Sequence, residues 1–310
     1  MDYLFALQNI REAAPSFINY FFLFISEITL YLGALIAANF YWSFNKDDGA
    51  YILMGYAGAF SVNEFIKNLA CVNRPWILDS RLHIDPVAKG SATGYSFPSG
   101  HTTIATSFFG GLALTQRKKK GLSIFFLVLI LLVAFSRNWL GAHTLKDVLV
   151  AICHTSLMIC FVCVLRYLLA KNPAKDTLVM ALALVISITF LIILCVKKYP
   201  MQYDAAGNLL VDPKKMLEEA FKSTGTATGF FLGWWMERHF VNFEIPDNIK
   251  KRVLRSVIGS LILLLWLFLI SKTLKFLGAY TYYFIKYFVT FFFMMYIYPL
   301  LFSSIAKVYN

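Results

Sequence analysis

Apolar runs close to the roughly 20 residues that cross a bilayer recur along the whole chain, and this constrains its fold more than any other feature. They fall at 16–42, 50–69, 100–115, 122–139, 145–168, 177–196, 223–236, 257–271 and 280–302. With 59% of its residues hydrophobic and only 15% charged, the chain is more apolar than a water-soluble core requires. The expected fold class is therefore all-α, a polytopic membrane protein of about nine transmembrane helices. The first fifteen residues, which include Arg11, Glu12 and Pro15, have no basic start, apolar run or small-residue cleavage site. Insertion is expected to use an uncleaved span.

Charge sets the orientation. The net charge of +12 is not gathered into a basic patch with interleaved aromatics, so no nucleic-acid partner is expected. It sits instead in the turns between runs, as positive-inside charge does. The densest cluster, Arg117, Lys118, Lys119 and Lys120, is assigned to the cytoplasmic side. The turns with Lys46, with Arg166, Lys171 and Lys175, and with Lys250, Lys251, Arg252 and Arg255 then fall on that side too. The N-terminus is placed outside and the C-terminus inside. Lysines 197, 198, 214, 215 and 222 lie on the opposite side and run against the rule. Within that segment, 213–222 reads as a short amphipathic helix opened by Pro213 and lying on the headgroups as a lid or brace. Residues 2–14 have a similar mixed character.

The chain divides into an interfacial segment at 1–15, a catalytic core at 16–170 and C-terminal helices at 171–310. Gly225, Gly229 and Gly233 form a small-residue stripe that permits close helix packing. Cys71, Cys153, Cys160, Cys163 and Cys195 lie mostly within apolar runs, where free thiols pack as small hydrophobes.

Three blocks bring ionisable residues to the ends of the runs, where they are costly and usually functional. They are Lys67 to Pro75, Phe97 to His101 and Ser136 to Asp147, and the topology above sets all three at one membrane face. Lys67, Arg74 and Arg137 have no matching acidic cluster and suit a bound dianion, which guanidinium forks grip bidentately. Ser99 and Gly100 open a run with free backbone amides, an arrangement that also binds anions. His143 and Asp147 are four residues apart, on one face if the intervening chain is helical. A carboxylate on one imidazole nitrogen leaves the other free as a nucleophile. His101 can protonate a leaving alkoxide and later deprotonate water. Phosphoryl transfer needs little more than such positioning and charge, so neither metal nor cofactor is expected. Glu64, one turn before Lys67, reads as its structural partner, and His154 as a hydrogen-bonded interior histidine.

The blocks spell Lys-x6-Arg-Pro, Pro-Ser-Gly-His and Ser-Arg-x5-His-x3-Asp. In this the chain resembles the type 2 phosphatidic acid phosphatase superfamily, whose three-part signature it matches in order at eleven specified positions. The resemblance covers 67–147 closely and the flanking runs loosely. It implies a helical core holding phosphate among Lys67, Arg74, Ser99, Gly100, His101 and Arg137. It also implies His143 as nucleophile, Asp147 as its orienter and His101 as acid and base. One run before the first block's span, and several after the last block, resemble the glucose-6-phosphatase and sphingosine-phosphate phosphatase branches. The expected function is a metal-independent membrane lipid phosphate or diphosphate phosphatase acting through phosphohistidine on a lipid-linked substrate at the non-cytoplasmic face. The alternatives are transfer of the same phosphoryl group to an alcohol, and a transporter or scaffold with a relict site, which the intact histidines and aspartate disfavour.

Overall fold

The computed structural model describes residues 1–274 and 276–309. Among these residues there is no strand, only one isolated bridge between Tyr203 and Leu209. The helices are α1 (Asp2–Ala13), α2 (Ser16–Ser43), α3 (Lys46–Ala70), α4 (Pro75–Leu78), α5 (Pro86–Ser91), α6 (Gly100–Thr115) and α7 (Lys120–Trp139). They continue as α8 (Leu145–Lys171), α9 (Asp176–Val196), α10 (Pro213–Met236), α11 (Ile249–Thr273), α12 (Ala279–Phe292) and α13 (Tyr298–Tyr309). The all-α expectation holds.

The bundle turns its polarity inside out, as a protein in hydrocarbon must. Leu178, Leu182, Val185 and Ile192 on α9 are exposed, while Asn63, Thr103, Ser107 and Thr226 are buried among the helices. A helix has no unsatisfied backbone along its length, so apolar side chains can face lipid at no polar cost. The core gathers α2, α3, α6, α10 and α12 around Trp42, Tyr41, Phe230 and Trp234. Trp42 donates its indole N–H to the Met294 carbonyl at 2.8 Å, and Tyr41 its hydroxyl to that of Met295 at 3.2 Å. Both acceptors lie in the π-helical turn Phe293–Ile297 that joins α12 to α13.

Nine long helical stretches occupy the nine apolar runs, but the number of spans is not thereby nine. By length and composition, five helices among the described residues can cross a membrane: α7, α8, α9 with its lead-in turn, α11, and Ala279–Ser304. The count becomes six if the two halves of α2, Ser16–Leu30 and Leu32–Ser43, form one bent span. The others fall short for a physical reason. α6 has only 16 residues, α3 carries Lys46, Asp47, Asp48, Glu64 and Lys67, and α10 carries five ionisable residues in its first ten. These three are inner helices whose polar groups are met by protein rather than lipid.

A second expectation is corrected at α10. The segment 213–222 is not a separate interfacial helix but the first turns of one 24-residue helix. Asp212 caps it, accepting from the Lys214 amide at 2.9 Å, and Pro213 takes the first position, where no N–H is needed. Lys214 and Lys215 at its start stay exposed, and the last of its lysines is met within the bundle. Lys222 pairs with Glu219 at 2.6 Å and lies 4.3 Å from the Tyr283 ring centroid. The start of α10 braces the segment 71–98, since Met216 packs with Tyr95 and Val211. The glycine stripe packs as expected: a Cβ on Gly225 would sit 2.4 Å from the Phe284 carbonyl oxygen, and one on Gly229 2.2 Å from that of Phe288.

Candidate active site

α3 ends at Cys71, whose φ of 48° breaks the helix and turns the chain across the end of the bundle. The segment that follows carries Arg74 and returns as Ser96, Phe97, Pro98 and Ser99 to start α6. The same end of the bundle receives the C-terminus of α7 with Arg137 and the turn into α8 with His143. The three sequence blocks therefore meet at one end.

The His143–Asp147 pair is built by a helix cap, not by a helix face. His143 precedes the first turn of α8; Thr144 is its N-cap, and Asp147 folds back in a capping box. Asp147 Oδ2 accepts from the Thr144 amide at 2.7 Å and from the Ser96 hydroxyl at 2.6 Å, and lies 3.6 Å from His143 Nδ1. The other ring nitrogen is fixed by Arg74, whose Nη1 stands 2.8 Å from His143 Nε2. A guanidinium can only donate, so Nε2 is the acceptor and the ring proton sits on Nδ1, toward Asp147. The imidazole is thus held neutral, with its lone pair on Nε2. Burial, and after it the Arg74 charge, hold the His143 pKa well below its ordinary value against the pull of Asp147.

Arg74 is itself pinned by carbonyls: Nε donates to Gly94 at 3.0 Å, Nη1 to Ala142 at 3.0 Å and Nη2 to Thr93 at 3.0 Å. Burial, then the charge of Arg137, lower its pKa to about 9, which leaves it charged at neutral pH. Of its five donors, one on Nη2 is unassigned.

Arg137 is wholly buried, and only one edge of it is bonded. Nη1 donates to the Ser26 hydroxyl at 2.7 Å and lies 3.9 Å from Glu27 Oε1. Among the described residues, Nε and Nη2 have no partner. Those two atoms form the fork edge that grips a pair of anionic oxygens. A buried guanidinium with that edge empty is costly until an anion fills it. Lys67 is bonded to Glu64 at 2.7 Å, as its spacing led us to expect, and Asn63 also donates to that carboxylate.

A cavity of about 540 Å³ opens beside these groups, with Arg137 and Asp147 buried behind its lining. Lys67, Arg74, Gly100, His101 and His143 line its polar end; Leu30, Tyr56, Phe60, Ile104, Leu267 and Phe291 form apolar walls between α2, α3, α6, α11 and α12. Ser99 is not among its lining residues. Its hydroxyl is turned back as the cap of α6, accepting from the Thr102 amide at 3.4 Å and hydroxyl at 3.0 Å. Gly100 borders the cavity with its bare backbone, and a Cβ there would lie 3.6 Å from Lys67 Nζ. His154 is the interior histidine its position predicts, 3.2 Å from the Thr103 hydroxyl. Among the described residues no three His, Cys, Asp or Glu side chains gather as metal ligands would.

Two residues at the site escaped the sequence reading. Ser96, in the second block's approach, bridges Asp147 and the His143 ring, 3.4 Å from Nδ1. Glu27, in α2, lies 3.4 Å from His101 Nε2 and accepts from the Ser91 hydroxyl at 2.7 Å. Its signal was present: it is the sole charged residue of the apolar run 16–42, and an ionisable residue in such a run is a functional candidate by default.

Comparison with known proteins gives two family matches. A family model described as the PAP2 superfamily matches residues 48–153. A second, described as PAP2 superfamily phosphatase, transmembrane extension, matches residues 221–308. No curated protein and no solved structure matches the chain.

Proposed function

The chain belongs to the PAP2 superfamily and carries the transmembrane extension of its phosphatases, and from that premise we propose that it is an integral membrane phosphatase acting on a lipid phosphate or diphosphate. The observation that carries this reading is the pairing of an unpartnered guanidinium edge on Arg137 with a His143 imidazole whose Nε2 lone pair is presented to the Arg74 guanidinium. One is made for a phosphoryl dianion and the other for attack on its phosphorus.

In the reaction, phosphate oxygens occupy Arg137, Lys67, the open donor of Arg74 and the backbone at Gly100. Ser99 contributes by shaping the start of α6. As the oxygens arrive, the Arg74 Nη1 donor moves from His143 Nε2 onto the anion and uncovers the nucleophile. Nε2 attacks phosphorus, the P–O bond to the lipid breaks, and His101 gives its proton to the departing oxygen. Asp147 stabilises the imidazolium character that His143 acquires. Water then loses a proton to His101 and attacks the phosphohistidine; the P–N bond breaks and inorganic phosphate leaves. The cations stabilise the spread negative charge that a divalent ion would otherwise balance, and they repel such an ion from the same place. The apolar walls of the cavity suit a hydrocarbon chain lying beside the phosphate. The positive-inside count supports a non-cytoplasmic position for this end of the bundle.

The test is release of inorganic phosphate from lipid phosphates by the purified protein in bilayer discs. Turnover persists in EDTA, and vanadate, which mimics the trigonal-bipyramidal phosphoryl group, inhibits competitively. Loss of turnover on chelation, restored by Mg²⁺, contradicts the proposal.

A further inference from the structure

His101 occupies the mouth of α6 with one ring nitrogen already committed. Its Nε2 lies 3.4 Å from Glu27 Oε1, and the same oxygen accepts from the Ser91 hydroxyl at 2.7 Å and stands 3.9 Å from Arg137 Nη1. Glu27 is about three-quarters buried, at the level where α2 passes α5, α6 and α7. A carboxylate in an otherwise uncharged helix costs several kcal/mol to bury unless its partners hold it there. The groups that hold Glu27 are a hydroxyl, an imidazole and the anion-binding arginine.

We infer that Glu27 is the positioning residue of His101: it holds the ring proton on Nε2 and so makes Nδ1 the atom that donates to, and accepts from, the reacting oxygens. This rests on the phosphatase reading above. It gives the two histidines opposite polarity. His143 is held by Asp147 at Nδ1 and works from Nε2; His101 is held by Glu27 at Nε2 and works from Nδ1. Each step balances with one proton on the outer nitrogen. With the phosphate dianion bound beside it to offset burial and the neighbouring cations, His101 enters phosphorylation with both nitrogens protonated and gives the Nδ1 proton to the leaving oxygen. It takes one back at Nδ1 from the attacking water, while the Nε2 proton stays on the Glu27 side. The cationic ring is surrounded by Arg137 from α7, Arg74 from the covering segment and Lys67 from α3. Glu64 is occupied by Lys67, and Asp147 of α8 by the His143 side. Glu27 is thus the carboxylate placed to offset the cations at His101. The chemistry makes Glu27 matter in proportion to how much the leaving group needs a proton.

The experiment compares Glu27→Gln with the unaltered protein on two substrates, an alkyl lipid phosphate and p-nitrophenyl phosphate, following kcat and phosphoenzyme formation in single turnovers. Glutamine keeps the shape and an acceptor but removes the charge. General acid catalysis is worth about 10²–10⁴-fold. Glu27→Gln is expected to lower phosphorylation by the alkyl substrate about tenfold or more, and by the p-nitrophenyl substrate less than about threefold. KM for both is expected to stay within about threefold. Vanadate affinity reports an intact site in the same preparation. Should Glu27→Gln lose vanadate binding, Ser91→Ala, which removes one hydrogen bond to the carboxylate, is expected to show the same leaving-group split at smaller size. An equal fall on both substrates in a variant that binds vanadate, or no fall on either, overturns the inference. The phosphatase reading fails separately, if the unaltered protein forms no phosphoenzyme from either substrate.

Discussion

Arg137 has one edge tied to Ser26 and the other empty, while fully buried. Lysine in its place keeps a charge but offers a point rather than a fork. Arg137→Lys is therefore expected to lower kcat/KM about 10²-fold, the usual cost of losing one preorganised donor in a transition-state cradle, and to weaken vanadate inhibition in parallel; unchanged vanadate affinity would assign the fork to structure. At His143 the prediction concerns pH. Burial and Arg74 lower the imidazole pKa and Asp147 raises it, so the nucleophile stays unprotonated to below the ordinary imidazole value of about 6.5. The acid limb of kcat/KM that belongs to the enzyme should lie below that pH. Removing the carboxylate charge in Asp147→Asn takes away the one opposing influence, so this limb moves to still lower pH while the plateau rate falls. A limb that moves up would show that Asp147 does not face the nucleophile. At this scale the sequence was informative because each block is short: Lys67, Arg74, His101, Arg137, His143 and Asp147 could be read from local spacing. The geometry behind one spacing was different, since His143 and Asp147 meet through a capping box that also recruits Ser96. Glu27 lies 74 residues from His101, and no local pattern joins them.

At the scale of helices, hydrophobic runs located the long elements but not their ends. α10 is the informative case. Its lysines and glutamates at 214–222 predict a separate interfacial segment, whereas they open one long helix in which Lys214 and Lys215 are exposed and Lys222 meets Glu219 and the Tyr283 ring within the bundle. The glycine stripe on the same helix was legible, because close backbone approach requires a small residue whatever the partner. Its partner is α12. Gly229→Ala would bring a Cβ within 2.2 Å of the Phe288 carbonyl oxygen, backbone that cannot swing away. Overpacking of that kind costs about 1–3 kcal/mol or more, so the thermal midpoint in detergent should fall by several degrees. Gly121→Ala, in α7 with nothing within 4 Å, should leave it unchanged or slightly higher. Equal effects of the two substitutions would mean that α10 and α12 do not pack through their backbones.

The whole molecule joins an apolar exterior to a charged interior, and both were visible in composition and spacing. The number of spans was not, because a run of apolar residues marks burial in lipid and in protein alike. α3 and α6 are inner helices for the same reason that they carry the site: their polar residues need protein partners. The basic turns predict an orientation that labelling can test. A cysteine introduced as Gly90→Cys, in the exposed part of the covering segment, is expected to react with an impermeant thiol reagent added outside intact cells, and Lys119→Cys is not; the reverse pattern would turn the bundle over. The central claim, that phosphate passes through His143, is tested most directly by trapping the intermediate in the intact protein. With a labelled p-nitrophenyl-type phosphate and an alkaline quench, the label should map to His143. It should accumulate in His101→Ala, which can be phosphorylated without acid help but lacks the base that activates water, and be absent in His143→Ala. Label on His101, or a phosphoenzyme formed by His143→Ala, would contradict the account.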